Sequence, residues 1–381
     1  MTHLKFIFWL FPVFILMGIS SEPDEYLIGE IKEHKASVTS VSFSPDGNYL
    51  ASGGEDKMLL ISDPNTIETI YRYDDNYFPT KAIVVTRSNQ LFVSSGPDIK
   101  LIDFNNQTLA VFKGNATHIW SIDYAPERNK VTAGSYDYTI KVWDVATQQI
   151  DFTLEGHEKS TLPVAFSPDE KYLVSGSLDR TVRVWNAQTG ELMKTLEMHT
   201  DNIYDVEFHP SGKYFASASR DKTIRLWDFE TGKVLVTYTG HDMGVLDIEF
   251  LPDGNHLVSA SFDGSIRLWQ TMTGKMVYTF IGHEGAVNAL DVSPNGELMV
   301  SGGADSKVII WNLSKKIFVE YAFYDELEQE KSQSSLFDPR RKNEKKTEYD
   351  ERMIKAGELE KQLIDKLYQK YLDNLHNQVM N

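Results

Sequence analysis

The chain has 381 residues, a formal net charge of −17 and no cysteine. Without thiols it has no disulfide, no thiolate metal site and no cysteine nucleophile. Its negative balance repels phosphate backbones and argues against nucleic acid as a partner.

The first 21 residues stand apart from the rest. Lys5 precedes an apolar run from Phe6 to Ile19, which contains Pro12 and ends among the small residues Gly18, Ser20 and Ser21. A positive flank, a short apolar core and small residues at its end form the pattern of a signal peptide; an uncleaved anchor is the alternative. The segment 1–21 therefore predicts export, with the mature chain in the periplasm or cell envelope, secreted or anchored. The lack of cysteine suits passage through an oxidising space.

From Tyr26 onward, short apolar runs alternate with turn residues. The unit is clearest between Gly156 and Met198. Pro163 to Phe166 meets the turn Ser-Pro-Asp-Glu; Tyr172 to Val174 runs into small residues and Asp179; Val182 to Trp185 follows; Glu191 to Leu196 comes after Ala-Gln-Thr-Gly. Period-two alternation between such turns predicts an antiparallel meander of four strands. One such unit leaves a face unburied, so copies must stack. His157, His199, His241 and His283 lie 42 residues apart, as do Trp143, Trp185, Trp227, Trp269 and Trp311. Steps of 41 back from Trp143 reach Ile102 and Ile61, which gives seven units. The second is the most eroded, with Tyr73 to Pro79 in place of its Gly-His turn.

Two segments compete for the outer strand of the last unit. Tyr26 to Ile31 matches the final strand of a unit, and so does Lys316 to Tyr321, which follows Trp311 at the same offset. An N-terminal strand would close the ring and remove an open edge, and it is the expected solution. Residues 325–347 are charged and polar, as in a linker. From Tyr349, the residues Met353, Ala356, Leu359, Leu363, Leu367, Tyr371 and Leu375 predict an amphipathic helix. Its apolar stripe must be buried, either on its own chain or in a coiled-coil dimer or partner helix.

The Gly-His pairs at 156, 240 and 282, and Trp-Asp at 143 and 227, resemble the WD-repeat family. The resemblance covers residues 26–313; Trp185-Asn186, Trp269-Gln270 and Trp311-Asn312 depart only at the second residue. It implies an all-β fold: a seven-bladed β-propeller of four-stranded antiparallel blades around a central channel, here with a C-terminal α-helical tail. The expected divisions are 1–21 signal peptide or anchor, 26–313 propeller, 314–347 strand-like segment and charged linker, and 348–379 amphipathic helix.

His, Ser and Asp recur together in each regular unit, which suggests a nucleophile with its base and orienter. The recurrence argues against catalysis. His157, Ser175, Asp179 and Trp185 repeat as His199, Ser217, Asp221 and Trp227, as His241, Ser259, Asp263 and Trp269, and as His283, Ser301, Asp305 and Trp311. The resemblance implies that each set is a buried structural network. No catalytic motif, metal-ligand spacing or phosphate loop is present, so no catalytic residue, no metal and no cofactor is expected. The resemblance further implies that partners bind on the narrower face, through residues at the start of each inner strand and before each turn aspartate. These are His118, Trp120, Tyr136, Leu162, Leu178, Asn202, Tyr204, Arg220, Leu246 and Phe262, a mostly apolar and aromatic arc. The expected function is a non-enzymatic protein–protein interaction scaffold that binds a protein or peptide there. One alternative is an enzyme or small-ligand binder that uses the central channel; it needs polar groups where the channel positions read mainly as hydrophobic. The other is a homodimeric structural protein assembled through the C-terminal helix.

Overall fold

The computed structural model describes residues 24–73, 78–341 and 344–380. The segment 1–21, read above as a signal peptide or anchor, lies outside the described residues. So do residues 74–77 of the eroded turn.

Among the described residues, 28 strands form seven four-stranded sheets. Blade 4 shows how the sequence builds one. Its strands are Thr161–Phe166, Tyr172–Ser177, Thr181–Asn186 and Leu192–Glu197. Ser167 closes the first hairpin by donating to Asp169 at 2.6 Å and accepting from the Tyr172 N–H at 3.0 Å. The last hairpin turns on Gly190, whose φ of +73° disfavours a side chain. Gly232 and Gly274 repeat that conformation in the next two blades, at +69° and +67°.

The core lies between blades rather than within them. Ala216, Ile224, Leu226 and Tyr238 of blade 5 pack against Val245, Ile248, Leu257 and Trp269 of blade 6. Ile140, Val142 and Leu154 of blade 3 pack in the same way on Val164, Leu173 and Trp185 of blade 4. All five repeat tryptophans are at most 2% exposed. Each buries a large apolar body that only an adjacent blade can cover.

The N-terminal strand closes the ring, as expected. Leu27–Ile31 pairs antiparallel with Val308–Asn312, with Leu27 opposite Trp311 and Ile31 opposite Val308. With that edge occupied, residues 317–321 are not a strand, contrary to the sequence expectation. They belong to the helix α1 (Lys315–Ser332). The consecutive apolar residues that read as a strand are buried on two sides of this helix. Ile317 and Phe318 face blades 6 and 7, and Val319 packs on Leu327, Leu363 and Leu367. Tyr26, just before the closing strand, donates to the Glu320 carboxylate at 2.8 Å and ties closure to α1.

A second helix, α2 (Lys346–Met380), lies against α1 and blade 6. Ala356, Leu363, Leu367, Tyr371 and Leu375 of its stripe are buried on the same chain. Of the two outcomes open for the stripe, the structure shows packing in cis for these residues, while Met353 stays exposed, and the drift between three- and four-residue steps suits an irregular surface. A buried polar latch adds specificity. The His256 ring donates from Nδ1 to Asp253 at 2.9 Å, and its Nε2 accepts from the Tyr371 hydroxyl at 2.9 Å. The Gln270 amide donates to the same Tyr371 oxygen at 3.0 Å. Gln270 is one of the positions where the repeat departs from Trp-Asp.

Candidate interaction face and central channel

The recurrent polar sets are linked chains inside each regular blade. In blade 4 the Trp185 indole N–H donates to Ser175 Oγ at 2.9 Å, Ser175 lies 2.8 Å from His157 Nε2, and His157 Nδ1 lies 2.8 Å from Asp179. One direction of donation satisfies every group: indole to hydroxyl, hydroxyl to imidazole, imidazole to carboxylate. His199, Ser217, Asp221 and Trp227 repeat it, with distances of 2.7 to 2.8 Å. His241, Ser259, Asp263 and Trp269 do so at 2.8 Å throughout, and His283, Ser301, Asp305 and Trp311 at 2.7 to 2.9 Å. Burial lowers His157 against the pull of Asp179, which keeps its ring neutral as the chain of donors requires. Burial would raise Asp179, but hydrogen bonds from His157 and Thr181 outweigh it and hold the carboxyl well below its usual range. Asp221 and Asp263 behave alike, and Asp305 falls to about 2.

The eroded blades rewire this chain. Blade 1 keeps His34 at 2.9 Å from both Ser52 and Asp56, without a tryptophan. In blade 3, Trp143 donates to the Lys113 carbonyl at 3.0 Å, and Lys141 pairs with Asp137 at 3.0 Å. In blade 2, Ser94 accepts from the N–H groups of Lys81 and Ala82, at 2.8 and 2.9 Å.

The ten residues expected on the contact face do not all reach it. His118, Tyr136, Arg220 and Phe262 are exposed; Trp120, Leu178, Asn202, Tyr204 and Leu246 are half-buried. Leu162 is the exception, at 2% exposure. Its carbonyl accepts from Ser121 at 2.8 Å and sits where a Cβ on Gly134 would collide, so the strand start sinks into the seam between blades 3 and 4. The aromatics pair edge to face: Trp120 with Tyr136, and Tyr204 with Phe262, both at 5.9 Å. Lys81 stands 5.9 Å over the Trp120 ring and is ion-paired with Glu55. Arg220 lies 3.9 Å from Asp201, an exposed contact of small energetic weight.

Trp120, Tyr204, Leu246 and Phe262 form the mouth of a central cavity of about 450 Å³. The channel below was expected to be mainly hydrophobic, and the structure corrects this. Asp123, Asp205, Glu207, Asp247, Glu249 and Asp291 line it. The reason lies in the backbone. Inner strands have an unpaired edge, and among the described residues, at five of the seven seams, a side chain of the preceding blade accepts from an N–H group there. Asp123 accepts from Phe166 at 2.6 Å, Asp205 from Ile248 at 3.0 Å, Asp247 from Leu290 at 2.6 Å and Asp291 from Phe43 at 2.6 Å. Ser40 and Ser121 do the same for Ile83 and Val164, each at 3.0 Å. These residues sit deep in the molecule while keeping some surface open to the channel. Burial pushes Asp123 up to about 6; burial and the Glu207 charge push Asp205 up to about 7; burial pushes Asp291 up to about 7. Burial and neighbouring carboxylates hold Glu207, Asp247 and Glu249 well above the usual range. One sequence signal marks the set: Glu207, Glu249 and Asp291 share the 42-residue step, as do Asp205 and Asp247.

The chain matches the family described as WD domain, G-beta repeat, at residues 25–63, 106–144, 148–186, 190–228, 232–270 and 274–312. It belongs to that family, in the form of a seven-bladed propeller. The unmatched stretch 64–105 holds most of blade 2, which folds without the family's signature residues. Among similar proteins, Protein hir1 of Schizosaccharomyces pombe is 29% identical over 144 residues, covering 32% of this chain and 16% of that protein. A subunit of chromatin assembly factor 1 from Mus musculus is 28% identical over 122 residues, covering 32% and 18%. U3 small nucleolar RNA-associated protein 21 of Saccharomyces cerevisiae is 28% identical over 119 residues, covering 30% and 13%. The chain thus spans under a fifth of the length of these curated relatives. They also overturn the predicted periplasmic or cell-envelope address. All three are eukaryotic, and two are named for chromatin and for nucleolar RNA.

Proposed function

We propose that the chain is a non-enzymatic interaction scaffold that binds a protein or peptide on the face carrying the channel mouth. The observation that carries this reading is the aromatic rim. Trp120, Tyr136, Tyr204 and Phe262 keep open surface, and Tyr136 and Phe262 are 39% and 38% exposed. Tryptophan and tyrosine in such a setting supply contact area at low entropic cost and dominate binding hot spots. His118, Leu178, Asn202, Arg220 and Leu246 extend the patch as polar and apolar margins; Leu162 is buried and takes no part. A relative named for chromatin assembly supports a nuclear protein complex as the setting.

The test is affinity capture from nuclear extract with the intact chain and with Trp120→Ala/Tyr204→Ala/Phe262→Ala, whose melting must be unchanged. A partner captured by the first and lost by the second supports the rim as the contact. Identical captured sets would remove it.

A further inference from the structure

We propose that the central channel receives a cationic side chain, lysine or arginine, projected by the protein partner bound at the rim. This rests on the contact-face reading above and specifies the chemistry of the partner segment.

Two observations carry it independently. The first is the state of Glu207 and Glu249. Most of the channel acids are committed to the fold, because they accept from inner-strand N–H groups. Glu207 and Glu249 do not: neither has a hydrogen bond or an ion pair with any described residue. Both lie deep in the wall of the cavity, in adjacent blades. The cation at the mouth, Lys81, is already paired with Glu55. Burial and the neighbouring carboxylates make these two acids hold their protons, and an inserted cation lets them ionise and pair with it.

The second observation is the mouth itself. Trp120, Tyr204 and Phe262 belong both to the rim and to the cavity lining, so a ligand on the rim has direct access to the acids below. Aromatic faces attract a cation, and the Lys81 ammonium lies 5.9 Å from the Trp120 ring. An anion would oppose ionisation of these acids and a neutral side chain would leave them protonated, whereas a cation turns them into ion-pair partners. No group of three or more side chains among the described residues is arranged to hold a metal ion. A charge at the end of a flexible stem fits a deep, narrow site with an apolar collar.

The experiment is panning of a phage-displayed library of random dodecapeptides on the full chain. The selected peptides are then synthesised and titrated against the wild type, Glu207→Gln/Glu249→Gln and Trp120→Ala/Tyr204→Ala/Phe262→Ala. The expected result is a consensus with one fixed lysine or arginine. Affinity should fall at least ten-fold when that residue becomes glutamine, and equally on the double glutamine variant, whose melting temperature must not drop. A consensus without a basic residue, or binding indifferent to the glutamine variant, overturns this inference and leaves the contact face standing. Peptides that bind the triple alanine variant undiminished overturn the contact face itself. Failure to enrich any peptide overturns both. Free spermidine serves as a control: binding that depends on Glu207 and Glu249, with no peptide selected, would make the occupant a small cation and overturn the peptide assignment.

Discussion

Blade 6 holds buried acids in two places, and they are driven in opposite directions. Asp263, at the outer network, accepts from His241 and Ser265 and is held well below the ordinary carboxylate range. Asp247 and Glu249, facing the channel, are held well above it. Burial raises all three. What differs is the supply of donors. The periphery provides an imidazole and backbone N–H groups to Asp56, Asp179, Asp221, Asp263 and Asp305, and a hydroxyl besides to Asp179, Asp221 and Asp263. The channel crowds carboxylates against one another, and Glu249 receives no donor. A buried acid is a structural asset where its donors are built in, and a vacancy for charge where they are not.

The comparison can be broken at its strongest point first. Trp269→Ala removes a fully buried indole from the seam between blades 5 and 6 and leaves Ser259 without its donor. The expected cost is about 3–5 kcal/mol, read as a lower midpoint in urea unfolding. Ser217→Ala is the milder peripheral test. It unpairs the Trp227 indole and the Nε2 of His199 while changing little volume, and should cost about 1–3 kcal/mol by the same measurement.

The smallest effect separates the two regions by pH. Peripheral acids with lowered values contribute stability that is present above about pH 4 and lost as pH falls towards about 2, the value of Asp305. Channel acids with raised values act in the other sense. Their folded forms hold protons that the unfolded chain has released, so stability falls as pH rises from about 4 through about 7, the value of Asp205 and Asp291. His34 and His157, lowered by burial, oppose this below about pH 6.5, so the acids must be isolated by mutation. Glu207→Gln/Glu249→Gln should raise the melting temperature by about 2 °C at pH 8 and leave it unchanged at pH 4, followed by circular dichroism. A uniform gain at both pH values would show that the channel carboxylates carry no charge penalty.

The repeat was legible because it is local and periodic. Histidines and tryptophans at a fixed step define the blades, the turn residues define the hairpins, and the recurrence of the polar sets speaks against a catalytic triad. The Asp, His, Ser and Trp positions recur at the same step, and the family resemblance implied that they are linked. Three matters escaped that logic. The strand-like segment 317–321 is helical because the ring edge is already filled by Leu27–Ile31, a pairing across almost the whole propeller. Leu162 is buried because a neighbouring blade pulls its strand inward. The tail folds back in cis because His256 and Gln270, ordinary departures from the repeat in one dimension, converge on Tyr371 in three.

The channel is the sharpest case. Each of its acids is a single polar residue inside a strand, and nothing in one unit tells whether it faces solvent, a seam or an axis. Seven inner strands must close into a ring before Asp123, Asp205, Glu207, Asp247, Glu249 and Asp291 meet. Sequence by itself determined the unit, its number and the recurrence of its polar sets, because those depend on spacing along the chain. Tertiary structure alone decided the acidic channel, the closing strand and the docked helices, because those depend on which distant segments compete for the same edge, surface or axis.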